Sequence, residues 1–301
     1  MHNVSTIPPA PNAPAHAFAV SLVVTTLGRV KQVERLFDSL AGQSFTNFDV
    51  LVVDQNDDDR LAPLCVRPWP FRIERFHTPG ERGASRGRNR GWRRTRGDIV
   101  LFPDDDCWYP SDFLEKSLAA MAHWNCDIIS GRAADETGRS INGRFEKAPQ
   151  SLDLVNVWTT AIEWMVLFRR RALDMLDGFD DDIGIGAATP WQSCEIQDIL
   201  IRALRAGLRC WYDPALVGHH EEMILGSPDA KLMRKAHGYA RGMGFVLRLH
   251  GYGPIKIAEW VARPLASAVV SLARGRADML PYYGRVAIGR LEGALRRTYG
   301  N

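Results

Sequence analysis

Three consecutive carboxylates, Asp104, Asp105 and Asp106, follow the apolar run Asp98-Ile99-Val100-Leu101-Phe102 and its closing Pro103. The run reads as a buried strand, β-branched and aromatic. Adjacent like charges cost free energy unless a cation neutralises them, so a triplet where a strand emerges points to a metal. A solvated acidic turn is the commoner origin of such triplets. Here the apolar strand before it and Trp108-Tyr109-Pro110 after it argue against a free loop. Continued strand alternation would put Asp104 and Asp106 on one face and Asp105 on the other. Hard oxygen ligands suit Mg²⁺ or Mn²⁺, bound through one or two carboxylates plus substrate phosphates.

Three other groups carry chemistry. Ser193-Cys194-Glu195-Ile196-Gln197-Asp198 opens a helix, where the helix dipole favours carboxylates and capping explains one of them in full. Glu195 and Asp198, at i and i+3, share a face, which leaves room for a general base. His219 and His220 close a strand-like run from Trp211 to Val217. Such a pair is ordinarily a polar strand end, but beside a carboxylate-bound metal it becomes a ligand or a phosphate donor. Finally, Arg82, Arg86, Arg88, Arg90, Arg93, Arg94 and Arg96 crowd one stretch. They suit nucleic-acid phosphates, or one or two of them suit a diphosphate while the rest are solvated. Only a subset can share a helical face.

Charge weighs between those two readings. From Lys231 onward thirteen Lys/Arg face three Asp/Glu, a net of +10, so the overall +3 leaves −7 on residues 1–230. The arginine-rich segment lies inside the acidic part, and no nucleic-acid partner is expected.

The frame that positions these groups is an alternation of strands and helices. Residues 18–25 form a near-continuous apolar strand of the kind found in a covered parallel sheet. Val30, Val33, Leu36, Phe37 and Leu40 follow at helical spacing up to Gly42, and Phe48–Asp54 is a second strand. Such a βαβ unit binds ligands at the carboxyl ends of its strands. Asp54 and the triplet both fall on that edge. Residues 71–76 read as a third strand and 83–96 as a basic helix. The next helix starts at Pro110 or Ser111, with Phe113, Leu114, Leu118 and Met121 inward. Strands at 127–130 and 161–168, a flexible polar excursion over 131–158 and a turn at Gly178-Phe179-Asp180 follow. A Gly-rich loop over 183–191 and a helix stopping at Gly207 complete the frame. The fold class is α/β, a Rossmann-like, mostly parallel sheet flanked by helices, with a C-terminal α-helical extension. Its divisions are a disordered lead-in (1–17), an α/β domain (18–228) and a basic amphipathic helical extension (229–301).

In that extension Phe245, Ile257, Trp260, Val261, Leu265 and Val269 alternate with Arg and Lys. Such helices lie in anionic membrane interfaces, or else pack on the preceding domain or in a homodimer. Five cysteines without a CxxC pair disfavour a disulfide framework or a zinc site and suit a reducing cytoplasm. The Pro/Ala/Asn-rich start lacks the pattern of a signal peptide, and no uncharged apolar run is long enough to span a bilayer.

The order of these features resembles the family 2 glycosyltransferases, with the A-type nucleotide-diphospho-sugar transferase fold, from about Val20 to His220. Ser21-Leu-Val-Val-Thr-Thr is similar to the family's first strand and Phe48–Asp54 to its second. Ser85-Arg-Gly-Arg-Asn-Arg-Gly91 resembles its Ala-Arg-Asn-x-Gly segment, and Gly97-Asp-Ile-Val-Leu-Phe-Pro-Asp-Asp-Asp106 its DxD strand. Gly178-Phe-Asp180 matches a recurrent turn, and Asp213-Pro214 precedes the strand leading to the family's His. There are departures. Where members commonly carry Glu-Asp-x-Asp, this chain has Glu195-Ile196-Gln197-Asp198, and Cys107 replaces the Asp after DxD.

The resemblance implies an inverting transferase that moves a sugar from a nucleotide-diphosphate donor, a UDP-sugar, to a hydroxyl of a saccharide or lipid-linked saccharide. It implies donor contacts from Thr25, Asp54, Arg88, Asn89, Asp104 and Asp105. It implies Mg²⁺ or Mn²⁺ on Asp104 and Asp106 with His219 or His220, and Glu195 as base with Asp198 in support. Bacterial surface polysaccharide or glycolipid synthesis, in the cytoplasm or on the inner face of the cell membrane, is the implied setting. Two other classes compete. A sugar-phosphate nucleotidyltransferase would want a Gly-rich loop after the first strand, where Thr25-Thr26-Leu27-Gly28-Arg29 supplies one Gly. A non-catalytic sugar-binding relative would be expected to lose the carboxylates retained here.

Overall fold

Seven residues, all buried but Thr25, form β1 (Val20–Thr26), and the βαβ unit continues through α1 (Lys31–Ala41) and β2 (Phe48–Asp54). The computed structural model describes residues 19–223 and 226–299, so the lead-in at 1–17 lies outside the described residues. α1 buries Val33, Leu36, Phe37 and Leu40, the stripe expected from their spacing. A short α2 (Ala62–Cys65) leads to β3 (Arg72–His77), then α3 (Ala84–Trp92) and β4 (Ile99–Leu101). β5 (Cys107–Trp108), α4 (Phe113–His123), β6 (Ile128–Ala133), β7 (Gln150–Ser151) and β8 (Val166–Arg169) follow. The chain then runs through α5 (Arg170–Leu176), α6 (Glu195–Arg205) and β9 (Cys210–His220). Three helices end it: α7 (Ala230–Leu249), α8 (Pro254–Ala273) and α9 (Leu280–Leu295).

The strand order is β3-β2-β1-β4-β8-β6-β9-β5, with β7 beside β9. The longer registers are parallel, β1 with β2, β2 with β3 and β6 with β9, and so is the short pairing of β1 with β4. β8 is antiparallel to both its neighbours. It therefore brings its amino end to the edge where the parallel strands end. The strand expected over 161–168 begins only at Val166, because Glu163–Met165 forms a 3₁₀ turn ahead of it. The excursion at 131–158 is packed on the sheet: β6 extends to Ala133, β7 pairs with β9, and Leu152 and Val157 are buried.

α3 lies close on β1 because Gly87 and Gly91 offer no side chain to the strand. A Cβ at Gly87 would fall 2.3 Å from the Thr25 methyl, and one at Gly91 2.2 Å from Val23 Cγ1. The C-terminal helices pack on this α/β part. Phe245 of α7 stacks on Trp191 at 4.4 Å, Ser193 Oγ donates to the Tyr239 carbonyl at 2.6 Å, and Val246 is fully buried.

Candidate active site

A pocket of about 730 Å³ opens at the carboxyl edge of the sheet. Thr25, Arg29 and Gln55 line one side and Asp104–Asp106 with His220 another, while Glu163, Glu195 and residues of α7 and α9 close it.

The triplet does not continue the strand. β4 ends at Leu101, and a turn closed by the Cys107 N–H on the Asp104 carbonyl breaks the expected alternation. Asp104 turns to Arg88, whose Nη2 donates to Oδ1 at 3.0 Å. Asp105 accepts from Thr26 Oγ1 at 2.7 Å, and Arg29 Nη1 bridges Asp105 and Asp106 at 2.5 Å each. Burial raises the Asp104 carboxyl against the pull of Arg88, and raises Asp105 to about 6 against Arg29 and Thr26. Asp106 is the one held down: burial opposes its charge, but His220 and Arg29 outweigh it.

Sheet register decides which histidine arrives. β5 pairs antiparallel with β9 so that Cys107 faces His220 and Trp108 faces His219. Asp106, next to Cys107, thus meets His220, with Nε2 at 3.1 Å from Oδ1. His219 points the other way, Nδ1 on the Ala134 carbonyl at 3.0 Å and ring tilted on Trp108. His219 is therefore not a ligand of this site, as strand alternation requires. Among the described residues no group of three or more His, Cys, Asp or Glu is assembled for a metal. Asp106 and His220 nonetheless fit Mg²⁺ or Mn²⁺, which take one or two protein ligands and fill the rest from phosphate and water.

Glu195 is the first residue of α6, after Cys194 in a left-handed conformation at φ 70°. One carboxylate oxygen accepts from Arg88 Nη1 at 3.0 Å, and the other is buried without a hydrogen-bond partner. The carboxylate fits because Gly184 has no side chain, where a Cβ would lie 2.9 Å from Glu195 Cδ. Ile196, between Glu195 and Asp198, is fully buried in the core. Asp198 is buried on the other side of the helix start, accepting from Arg202 Nε at 2.9 Å and paired with His250 Nε2 at 2.8 Å. It does not line the pocket and is not brought to the chemistry.

Two expected donor contacts are structural instead. Asn89 fastens the Gly178-Phe179-Asp180 turn, donating to the Phe179 carbonyl and to Asp181, each at 2.7 Å, and accepting from the Phe179 N–H. Asp54 is fully buried, with Oδ1 on Asn56 and Oδ2 on Arg75, so neighbouring Gln55 lines the pocket in its place. Thr25 does reach the pocket, its hydroxyl oxygen lacking a hydrogen-bond partner. The arginines of the basic stretch are mostly engaged rather than solvated: Arg82 with Asp57, Arg86 with Asp181, Arg90 with Glu81, Arg93 with Asp177 and Arg94 over Phe76.

Sequence reasoning missed Arg29, Glu163 and the pocket residues of α7 and α9. Glu163 sits just ahead of the reversed strand β8, and burial beside Glu195 and Asp104 raises its carboxyl well above the ordinary range. A lone acid inside an apolar run was the signal available.

A model of the family described as glycosyl transferase family 2 matches residues 21–177. An uncharacterized glycosyltransferase of Haemophilus influenzae is 35% identical over 102 residues, 34% of each chain. Bacillus subtilis YwdF, another uncharacterized glycosyltransferase, is 20% identical over 54% of this chain and 63% of its own. The chain thus spans between about a third and under two thirds of these relatives. Among solved structures, the mannosyltransferase PcManGT from Pyrobaculum calidifontis, in complex with GDP-Man and Mn²⁺, superposes with a TM-score of 0.63. It is 18% identical and covers 97% of this chain and 92% of that one. S. aureus TarS 1–349 in complex with UDP gives 0.55 at 17% identity, covering 93% of both. At these identities the likeness speaks to fold, and the fold is that of an A-type glycosyltransferase.

Proposed function

The chain belongs to glycosyl transferase family 2, and on that premise we propose an inverting sugar transfer in this pocket. The donor is a nucleotide-diphosphate sugar, in our reading a UDP-sugar, and the acceptor a hydroxyl of a saccharide or lipid-linked saccharide. One observation carries the reading: Glu195 shares the pocket with the Asp106–His220 pair, one oxygen fixed by Arg88 and the other buried without a partner.

The acceptor oxygen attacks the anomeric carbon while the bond from that carbon to the diphosphate oxygen breaks. Glu195 takes the hydroxyl proton, and the diphosphate leaves with the bonding electrons. Arg88, between Glu195 and Asp104, orients the base and adds positive charge near the departing group. Mg²⁺ or Mn²⁺ on Asp106 and His220 would offset the same charge. Incubation with a panel of nucleotide sugars and Mn²⁺, reading donor hydrolysis and transfer, tests the reading. Glu195→Gln should cost about a hundredfold or more in turnover and leave UDP binding intact. No turnover of any donor, with no UDP binding, would overturn it.

We place the protein in the cytoplasm, at the inner face of the membrane, in surface polysaccharide or glycolipid synthesis. No helix among the described residues is long and apolar enough to cross a membrane. α8 does expose Ile255, Leu265, Val269 and Leu272, α9 exposes Ile288 and Leu291, and an apolar groove of about 840 Å³ runs between Arg248 and Arg296. Such a face suits anionic lipid. Val269→Asp with Arg274→Glu should abolish salt-sensitive co-sedimentation with phosphatidylserine vesicles. Sedimentation indifferent to lipid charge and to these changes would assign the face to a second copy of the chain.

A further inference from the structure

Five cationic side chains line the pocket, and they divide into two kinds. Arg29 pairs with Asp105 and Asp106, Arg82 with Asp57, and Arg88 with Asp104 and Glu195. Lys235 of α7 and Arg290 of α9 have no carboxylate partner among the described residues. Arg290 donates from Nη1 to the Trp260 carbonyl at 2.6 Å and lies 5.6 Å from the Trp260 ring, while its Nε is buried with no hydrogen-bond partner. The groups that act on its charge are Cys194, Arg263 and Tyr282, and burial lowers its pKa. Arg263 is itself engaged by Glu259. Lys235 stands at the exposed rim, its Nζ 5.3 Å from the Tyr239 ring.

Arg290 is partly buried with one hydrogen bond and no counter-charge, and a bound anion would supply that counter-charge. A guanidinium presents a planar fork that matches a pair of phosphate or carboxylate oxygens. Position then selects between the two anions that enter a glycosyl-transfer pocket. The triplet side is served by Arg29, Arg88 and His220, where the donor's diphosphate belongs on the reading above. Arg290 instead packs against Gly244 of α7, two residues from Gly242, which meets Ser193 just ahead of Glu195 in the same pocket. That is the side from which the hydroxyl nucleophile must come.

We propose that the α7/α9 wall is an anion subsite for the acceptor, with Arg290 at its centre and Lys235 at its rim, so that the acceptor carries a phosphate or carboxylate near its reacting hydroxyl. The proposal rests on the sugar-transfer reading and adds the acceptor's chemical class to it. It lies in helices beyond residue 177, where the family match ends.

The test is calorimetric titration of glycerol 3-phosphate, a soluble phosphomonoester, into the full-length protein saturated with UDP and Mg²⁺. Glycerol is the uncharged control. Glycerol 3-phosphate should bind the UDP-saturated wild type, and glycerol should not. Arg290→Gln should weaken that binding about tenfold or more and Lys235→Gln about threefold, with UDP affinity within about twofold of wild type in both. Binding of glycerol 3-phosphate that UDP abolishes would assign the two cations to the donor's diphosphate and overturn the proposal. Absence of binding to wild type, or equal binding in the variants, would overturn it too. Should Arg290→Gln fail to fold, Lys235→Gln on the exposed rim decides alone. Failure of the sugar-transfer reading looks different: UDP itself would not bind.

Discussion

Gly284 and Gly293 both lie in α9, yet alanine should move stability in opposite directions at the two. Alanine at a helical glycine gains about 1 kcal/mol from helix propensity when nothing else changes. At Gly284 nothing lies within 4 Å of the added methyl, so that gain should appear nearly in full. At Gly293 the new Cβ would sit 2.0 Å from the Arg241 carbonyl oxygen and 2.6 Å from the Phe245 nitrogen, where ordinary contact begins near 3.4 Å. Both obstacles are backbone of α7, so no side chain can swing aside and the helices must part. Overpacking of this kind costs about 1–3 kcal/mol or more, so the net should be a loss of about 1–2 kcal/mol. Urea denaturation of the three proteins measures the difference, with the slopes compared to exclude a changed unfolded state. Gly293→Ala should also raise the acceptor KM, since α7 and α9 carry Tyr239, Lys235 and Arg290 into the pocket. Equal stabilisation by both substitutions would refute the close α7–α9 packing.

Asp106→Ala should abolish the dependence of UDP affinity on Mn²⁺, and calorimetry giving the same UDP affinity with and without Mn²⁺ in the wild type would remove the metal assignment. Asp198→Asn should cost about 2 kcal/mol of stability, below the value for a fully buried ion pair because Arg202 is partly exposed, and leave kcat within about threefold. A catalytic collapse without lost stability would make Asp198 the base. Glu292 is fully buried against His237 Nε2 at 2.8 Å, Arg241 and the Tyr299 N–H at 3.0 Å. Burial opposes its charge, but these partners outweigh burial and hold its carboxyl below the ordinary range. A depressed carboxyl stabilises the fold above its unfolded pKa and loses that effect as pH falls through its folded value. The stability gap between wild type and Glu292→Gln should therefore be full above about pH 5 and close in more acidic solution. A gap independent of pH would refute that network.

The βαβ frame was legible because β1, β2 and α1 carry unmixed patterns: continuous apolar runs for strands buried on both faces and a clean stripe for the helix. Asp104–Asp106 and Glu195 were legible for the same reason, since each adjoins the end of such an element. What was hidden depended on direction and distance. Glu163 reaches the pocket only because β8 runs backwards, and no local pattern in 161–168 encodes strand direction. The choice of His220 over His219 needed the register of β5 on β9, a pairing of residues more than a hundred positions apart. Asp54 sits on the predicted edge, but Arg75 and Asn56, neither anticipated, consume its carboxylate. Lys235, Tyr239 and Arg290 lie in helices whose amphipathic pattern shows a buried face without naming what it covers.

The pocket is drawn from two separate stretches of chain, Thr25 to Asp106 and Asn142 to Arg290, and the family match ends inside the second, after Trp164 and before Ile185. That division has an evolutionary corollary. On the proposed reading, the matched part, joined by His220 of β9, handles the donor, whose chemistry hardly varies among sugar nucleotides, while α7 and α9 meet the acceptor. Drift in α7 and α9 can then change what is glycosylated without disturbing how the sugar is activated. The boundary is not free to move anywhere, however, because Ser193, two residues before Glu195, is pinned by Tyr239 and by the close approach of Gly242. A recombinant exchange of acceptor specificity should therefore carry residues from before Ser193 to the end of α9 as one block.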